Sequence, residues 1–347
     1  MGKESKVTII IPHWKGEAIL RRCLISLQKT TYDDFEILIV NNACPDGSIH
    51  KINEEFPNIQ ILDSDKNLGY AGGCNLGIQD SQSPFVVLLN NDTEVTPQWL
   101  SLMMSVMLTD KTIAAIQPKM LSIRDKRRFD YCGAVGGEMD IFGYPFARGR
   151  LFDFMEIDQG QYDASRDIFW ATGAASLLRR DALDHVGLLD EIFFAHMEEI
   201  DLDWRLHLAG YRVMTVPHAV VFHQTGGTLS GERLQKMVLN HRNNLIMLMK
   251  NHTIPVLLWL LPLRLFLETL TVLGMLFLGQ PKRSLAVLLG IQGVLSHLPH
   301  ILKCRKMIAP IRVVPESKIL KKKYRGSIAL EYFIRRRRQV SQFLPMD

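Results

Sequence analysis

Three groups of side chains in this sequence have the types and spacing to do chemistry. The first is Asn90-Asn91-Asp92, which closes an apolar run, Pro84-Phe85-Val86-Val87-Leu88-Leu89. A carboxylate placed there can hold a hard divalent cation, and the cation can hold a phosphate. The competing reading is that Asn91-Asp92-Thr93 caps a helix starting near Pro97. The second group is Glu198, Glu199, Asp201 and Asp203, preceded by Phe193-Phe194. Acids in the first turn of a helix favour its dipole, but four are more than capping needs. A carboxyl sheltered by aromatic rings has a raised pKa, the usual condition for a general base near neutral pH. Asp201 and Arg205, four apart, are expected to form a structural ion pair. The third group is His223, at the end of an apolar stretch and followed by Gly226-Gly227. It is either structural or a metal ligand. Arg242, further on, would reach a phosphate or pair with a surface acid.

The elements around these groups alternate. Val7–Pro12, Phe35–Val40, Ile59–Leu62 and residues 84–90 are short apolar or β-branched runs. Between the first two, Ile19, Leu20, Cys23, Leu24 and Leu27 recur at helical spacing. Strands alternating with helices in this way predict βαβ units and a largely parallel sheet. Ligands of such sheets lie beyond the carboxyl ends of the strands, which predicts Trp14, Asn41, Asp46, Asn67 and Asp92 on one rim. Gly69, Gly72 and Gly73 permit close backbone approach, for a ligand or for helix packing. They match neither a Walker loop nor GxGxxG. A further strand is expected over 113–120, a strand or turn over 171–178, a helix from Glu198 to Gly210, and a strand from Tyr211 to Phe222. Residues 123–168 are expected to be an insertion or mobile loop over the site.

A chain of 347 residues with 47% hydrophobic and 22% charged residues is that of a folded protein, with room for one large α/β domain and an appendage. Five cysteines without a CxxC pair favour a reducing compartment. The amino terminus, Met1 to Lys6, has no signal-peptide core and does not fit the myristoylation pattern, so the first domain is expected in the cytosol. Residues 255–278 are apolar and would reach about 36 Å as a helix, enough to cross a bilayer. Arg264 and Glu268 interrupt that run at a spacing that lets them pair. With a second apolar segment over 285–302, it is expected to lie in a membrane interface, the alternative being a soluble helical appendage. Lys321-Lys322-Lys323, Arg325 and Arg335-Arg336-Arg337-Arg338 would then face anionic headgroups, or form a solvated basic tail. The division expected is 1–250 and 251–347.

Taken together, Ile11-Pro12-His13-Trp14-Lys15-Gly16, Val40-Asn41-Asn42, Asp46-Gly47-Ser48, Asn67-Leu68-Gly69, Leu89-Asn90-Asn91-Asp92, Glu198-Glu199-Ile200-Asp201-Leu202 and His223 resemble, in order and spacing, the inverting family 2 glycosyltransferases of the GT-A fold, especially bacterial rhamnosyltransferase-like members. The resemblance covers roughly residues 6–250. It implies a Rossmann-like, mainly parallel sheet flanked by helices. It also implies a nucleotide-sugar donor, with Pro12, Trp14, Asn41 and Asp46 around its base and ribose, and Asn67, Gly69 and Asn75 bordering its pocket. Asn90-Asn91-Asp92 stands where the family has Asp-x-Asp, which makes Asp92 and His223 the ligands of Mg2+ or Mn2+. Glu199 holds the place of the catalytic base, beside Glu198. Asn90 replaces an acid of the motif, Asn41 replaces an Asp, and Glu199 is one methylene longer than the family's Asp.

The partners implied are the donor, a glycan or lipid-linked acceptor and the cytoplasmic face of the inner membrane, with no nucleic acid. A nucleotidyltransferase would use a similar sheet but expects a basic, glycine-rich loop after the first strand. A non-catalytic nucleotide-sugar-binding membrane protein is the other alternative.

Overall fold

Four apolar runs form one half of a nine-stranded sheet. The computed structural model describes residues 6–224 and 234–345, so Met1 to Ser5 and Gly226-Gly227 lie outside the described residues. Strand β1 (Val7–His13), helix α1 (Glu17–Leu27), β2 (Phe35–Asn42), α2 (Ser48–Glu55), β3 (Gln60–Ser64), α3 (Gly69–Asp80) and β4 (Phe85–Leu89) alternate as the spacing predicts. The strands pair in parallel in the order β4-β1-β2-β3, with Val7 opposite both Phe35 and Phe85. β4 is buried along its whole length, which is why it is apolar without alternation. Helix α3 lies so close to this sheet that a Cβ on Gly77 would come within 2.5 Å of Ile10 and 3.1 Å of Val40. The glycines of this helix therefore serve packing as well as the site.

The chain continues through β5 (Thr93–Val95), α4 (Trp99–Met107), β6 (Ile113–Ser122), four short strands β7 (Gly137–Met139), β8 (Pro145–Ala147), β9 (Arg150–Leu151) and β10 (Phe154–Met155), then β11 (Arg166–Asp167), β12 (Ala175–Arg179), α5 (Arg180–Val186), α6 (Glu198–Leu208) and β13 (Arg212–His223). The whole sheet runs β11-β13-β6-β12-β4-β1-β2-β3, with β5 paired to β13. β12 is antiparallel to both β4 and β6, so it is its beginning that meets the rim where β1, β2 and β4 end.

Two expectations change. Asp92 caps no helix, because β5 intervenes and α4 starts only at Trp99. Residues 123–168 are not a loose loop. β7 to β10 form a second, antiparallel sheet, tied to the main body through Gly137 and Trp170. Phe146 and Leu151 from this sheet share a small core with Ile328 and Val340 near the end of the chain.

After α7 (Leu234–Asn251) come α8 (Ile254–Phe277), α9 (Pro281–Ser296), α10 (Leu298–Ile311) and α11 (Glu316–Lys321). Leu245, Ile246 and Leu248 of α7 join Trp204, Val256 and Leu260 in one core. Arg264 and Glu268 do pair, at 2.8 Å, on the buried face of α8. The second apolar segment breaks at His297, and α9 and α10 meet at 64°. Part of the expected basic surface is engaged by internal partners. Lys323 is buried, its Nζ 2.9 Å from His252 Nε2 and 3.7 Å above the Trp204 ring. Arg335 and Arg337 both bind Glu331. All five cysteines are free thiols.

Candidate active site

Strand pairing places Asp92 beside His223, although the two are 131 positions apart in sequence. Thr93 of β5 is the partner of His223 at the end of β13, and the Gln224 amide donates to the Asp92 carbonyl at 2.9 Å. Both side chains are buried, with His223 Nε2 3.1 Å from Asp92 Oδ1. That oxygen accepts no aligned hydrogen bond and is shut off from solvent. On the other side of the ring, His223 Nδ1 lies 2.8 Å from Asp130 Oδ1. Burial opposes a charge on this imidazole, but Asp92 and Asp130 outweigh it and hold its pKa well above the ordinary histidine range. A carboxylate that holds one ring nitrogen leaves the other directed at a possible ion, the arrangement found around histidine metal ligands. A divalent cation between Asp92 Oδ1 and that nitrogen would take the place of the ring proton now between them, and a buried carboxylate facing an imidazole suits it. Asn90 Nδ2 is 3.4 Å from the same nitrogen and its amide group supplies no charge.

Glu198 and Glu199 open α6 behind a strained loop. Phe194, His196 and Met197 have φ of 60°, 71° and 74°, a left-handed region that non-glycine residues rarely adopt. The loop is held from two sides. Asn243 Nδ2 lies 2.8 to 2.9 Å from the carbonyls of Phe193, Ala195 and His196, and the Tyr70 amide donates to Phe194 O at 2.7 Å. Both glutamates have an Oε2 atom that is buried and without a partner. Burial pushes the Glu199 carboxyl up to about 7. Glu198, also desolvated and next to the Glu199 charge, is raised well above the ordinary range. The remaining acids of this helix are structural. Asp201 binds Arg205 at 3.1 Å as well as Lys250 and Asn251, and Asp203 accepts from the Ala171 amide at 2.6 Å.

A cavity of about 730 Å3 joins these groups to the rim. Pro12, Trp14, Asn67, Gly69, Asn90, Asn91, Asp92, Glu198, Glu199 and His223 all line it. Asn91 Nδ2 donates to His13 Nδ1 at 2.8 Å, which leaves His13 Nε2 to donate to Ser48 Oγ at 2.7 Å. Burial lowers the His13 pKa to about 4, so this ring is neutral. Asn67 Oδ1 accepts from the Gly69 amide at 2.8 Å.

Four expected residues are not on the cavity wall. Asn41 and Asn42 point to opposite faces of β2, as strand alternation requires. Asn42 faces the cavity and holds the Gly69 carbonyl and Leu68 amide. Asn41 instead donates to Asp63 at 2.7 Å and accepts from the Cys44 amide. Asp46 sits outside the wall, where desolvation raises its pKa but hydrogen bonds from the Cys44 thiol, the Ser48 hydroxyl and the Gly16 amide together outweigh it and hold it low. Asn75 is committed to Leu189 and Glu191, clipping α3 to the chain before α6. Arg242 donates to Ile192 O and Asn243 Oδ1, while its neighbours His241 and Asn244 reach the cavity. Asp130 and Asn243, which orient His223 and the Glu199 loop, have no local signature in the sequence.

Gly69 has a φ of 72°, and a Cβ there would lie 2.5 Å from the Phe194 ring and carbonyl. Gly69→Ala is expected to destabilise the fold by about 1–3 kcal/mol and to weaken nucleotide binding. Urea unfolding and a nucleotide titration check this, and an unchanged midpoint and affinity would refute it.

The sequence profile of glycosyl transferase family 2 matches residues 8–187, just over half of the chain. The chain belongs to that family and is a glycosyltransferase. It is 26% identical over 251 residues to the N-acetylglucosaminyl-diphospho-decaprenol L-rhamnosyltransferase of Mycobacterium tuberculosis, covering 67% of this chain and 81% of the relative. It is 28% identical over 225 residues to the pre-mycofactocin glycosyltransferase of the same organism, covering 62% of this chain and 42% of that one. Two solved structures share its fold. One is the mannosyltransferase PcManGT of Pyrobaculum calidifontis with GDP-Man and Mn2+, with a TM-score of 0.51, 13% identity, and 96% and 89% of the two chains covered. The other is S. aureus TarS 1-349 with UDP, with a TM-score of 0.54, 15% identity, and 93% and 94% covered. The fold is GT-A, and family membership removes the nucleotidyltransferase alternative.

Proposed function

We propose that this glycosyltransferase moves a sugar from a nucleoside-diphosphate donor, dTDP-rhamnose or a UDP-sugar, to a hydroxyl of a cell-surface glycan or lipid-linked acceptor, with inversion. The observation that carries the reading is Glu199, a buried carboxyl with an unpartnered oxygen and a pKa near 7, lining the cavity that also holds Asp92 and His223. Glu199 takes the acceptor proton as the hydroxyl oxygen bonds to the anomeric carbon, and the bond to the diphosphate oxygen breaks, releasing nucleoside diphosphate. Mg2+ or Mn2+, held by Asp92 and His223, would offset charge on the donor diphosphate. Asp130 keeps the His223 ring in place, and Pro12, Trp14, Asn67, Gly69, Asn90 and Asn91 bound the donor side. Glu198, buried beside the base, is pushed towards its neutral form by the same desolvation and by the Glu199 charge.

The helical end supports a place on the cytoplasmic face of the inner membrane. α8 is long and apolar enough to cross a bilayer by length and composition, and Leu258, Phe266, Leu273 and Phe277 are exposed along it. With Arg264 and Glu268 buried against protein, an apolar outer face lying on the membrane fits better than a span. The test is to incubate the protein with a panel of nucleotide-sugars and a lipid-linked acceptor extract, following nucleoside diphosphate release with and without Mg2+ or Mn2+. One donor should turn over only with acceptor present. Failure of every donor would sink the proposal.

A further inference from the structure

Arg264 is 1% exposed, yet two of its three guanidinium nitrogens are without a partner. Nη2 donates to Asn244 Oδ1 and to Glu268 Oε1, each at 2.8 Å. Nε and Nη1 have no partner. The guanidinium is stacked 3.6 Å over the Tyr144 ring, which fixes its plane. A buried cation with unsatisfied N–H groups is costly, and such groups in a cavity wall mark a place for an anion. Arg264, Asn244, Tyr144 and His241 line the same cavity as Glu199.

The carboxylate that pairs with Arg264 serves a second donor as well. Glu268, the carboxylate facing it, is shared with His241 Nδ1 at 2.9 Å. Lys236 and Arg150 line the same cavity, and Arg150 Nε is a further buried donor without a partner. The other side of α8 has the opposite character: Leu263, Leu265 and Phe266, which flank Arg264 in sequence, are 43%, 44% and 59% exposed. One helix therefore offers fixed cationic donors inward and an apolar surface outward.

We propose that this end of the cavity is a subsite for the diphosphate of a lipid-linked sugar, with Arg264 holding the anion and the outer face of α8 receiving the hydrocarbon chain. Its role as the acceptor site rests on the transferase reading above; the binding of a prenyl diphosphate does not. A bidentate guanidinium suits a diphosphate oxygen pair. The donor's own diphosphate belongs instead beside Asp92 and His223.

The test uses the full chain without donor and measures binding of farnesyl diphosphate, farnesol, inorganic diphosphate and UDP by calorimetry. The wild type should bind farnesyl diphosphate at least about tenfold more tightly than either farnesol or inorganic diphosphate. Arg264→Met should weaken farnesyl diphosphate by about tenfold or more and leave farnesol and UDP unchanged. Because that variant strands Glu268, the doubly substituted Arg264→Met/Glu268→Leu serves as the folded control. Unchanged farnesyl diphosphate binding in both variants would overturn the subsite. A parallel loss of UDP affinity would assign Arg264 to the donor instead, and inorganic diphosphate binding as tightly as the prenyl ester would refute the lipid assignment. Loss of transfer with this binding pattern intact would count against the transferase reading alone.

Discussion

Glu199→Gln is expected to lower kcat by about a thousandfold while leaving donor affinity within a factor of about three, the size and pattern of a lost general base. The amide fills the same space but cannot accept the acceptor proton. Wild-type rate should fall below pH 7, because the base works deprotonated and burial has raised its pKa to about 7. That acidic limb should vanish in the variant. The same substitution has a signed effect on stability. The native carboxyl binds its proton more tightly than the unfolded one, whose value is 4.5. Stability from the neutral form is therefore complete below about pH 4.5 and is lost as pH rises through 7. Glu199→Gln should be more stable than the wild type at pH 8 by about 1–3 kcal/mol, and near equal to it at pH 4.5. Stopped assays across pH and paired unfolding curves test both halves. Full activity in the amide variant would end the assignment.

Chelation, or Asp92→Ala, should cut donor turnover by about a hundredfold or more, since among the described residues Asp92 is the carboxylate of the cavity wall that lies against His223. With Asn90 where an acid would add a second charge, the cation is expected to bind weakly enough for added Mn2+ to restore the chelated protein in the millimolar range. Asp130→Asn, changed on the Nδ1 side of the His223 ring, should raise the metal concentration needed for half-maximal rate by about 10–100-fold, through the orientation of His223. A metal titration of nucleoside diphosphate release separates the cases. Turnover indifferent to chelation would show that Asp92 serves some other purpose, and an unchanged metal requirement in Asp130→Asn would remove the orienting role.

What was legible in the sequence follows the range of the forces involved. β1 and β4 announce themselves because burial on both faces leaves continuous apolar runs with polar ends, and those ends define the rim. The start of α6 was equally visible, through its acids and the period of Ile200, Trp204 and Leu208. The three-residue strand β5 was not, since Thr93-Glu94-Val95 becomes a strand only by pairing with β13 far along the chain. Strand alternation put Asn42 rather than Asn41 on the wall, a one-residue distinction that depends on register. Asp130 and Asn243 act across 93 and about 50 positions, and nothing in their own neighbourhoods marks them. The small antiparallel sheet over 137–155 escaped because its strands are two or three residues long and draw their core from residues near 328 and 340.

Lys323 carries a consequence for how the chain can be divided. Its ammonium caps the Trp204 ring and meets His252, closing the underside of the helix whose first turn bears Glu199. Burial has lowered its pKa to about 7. Cutting after α7 would strip that cover from Trp204 and, with α8, remove Arg264 from the cavity. The final hundred residues thus behave as the floor of the catalyst. Shortening the chain there would be expected to loosen the base.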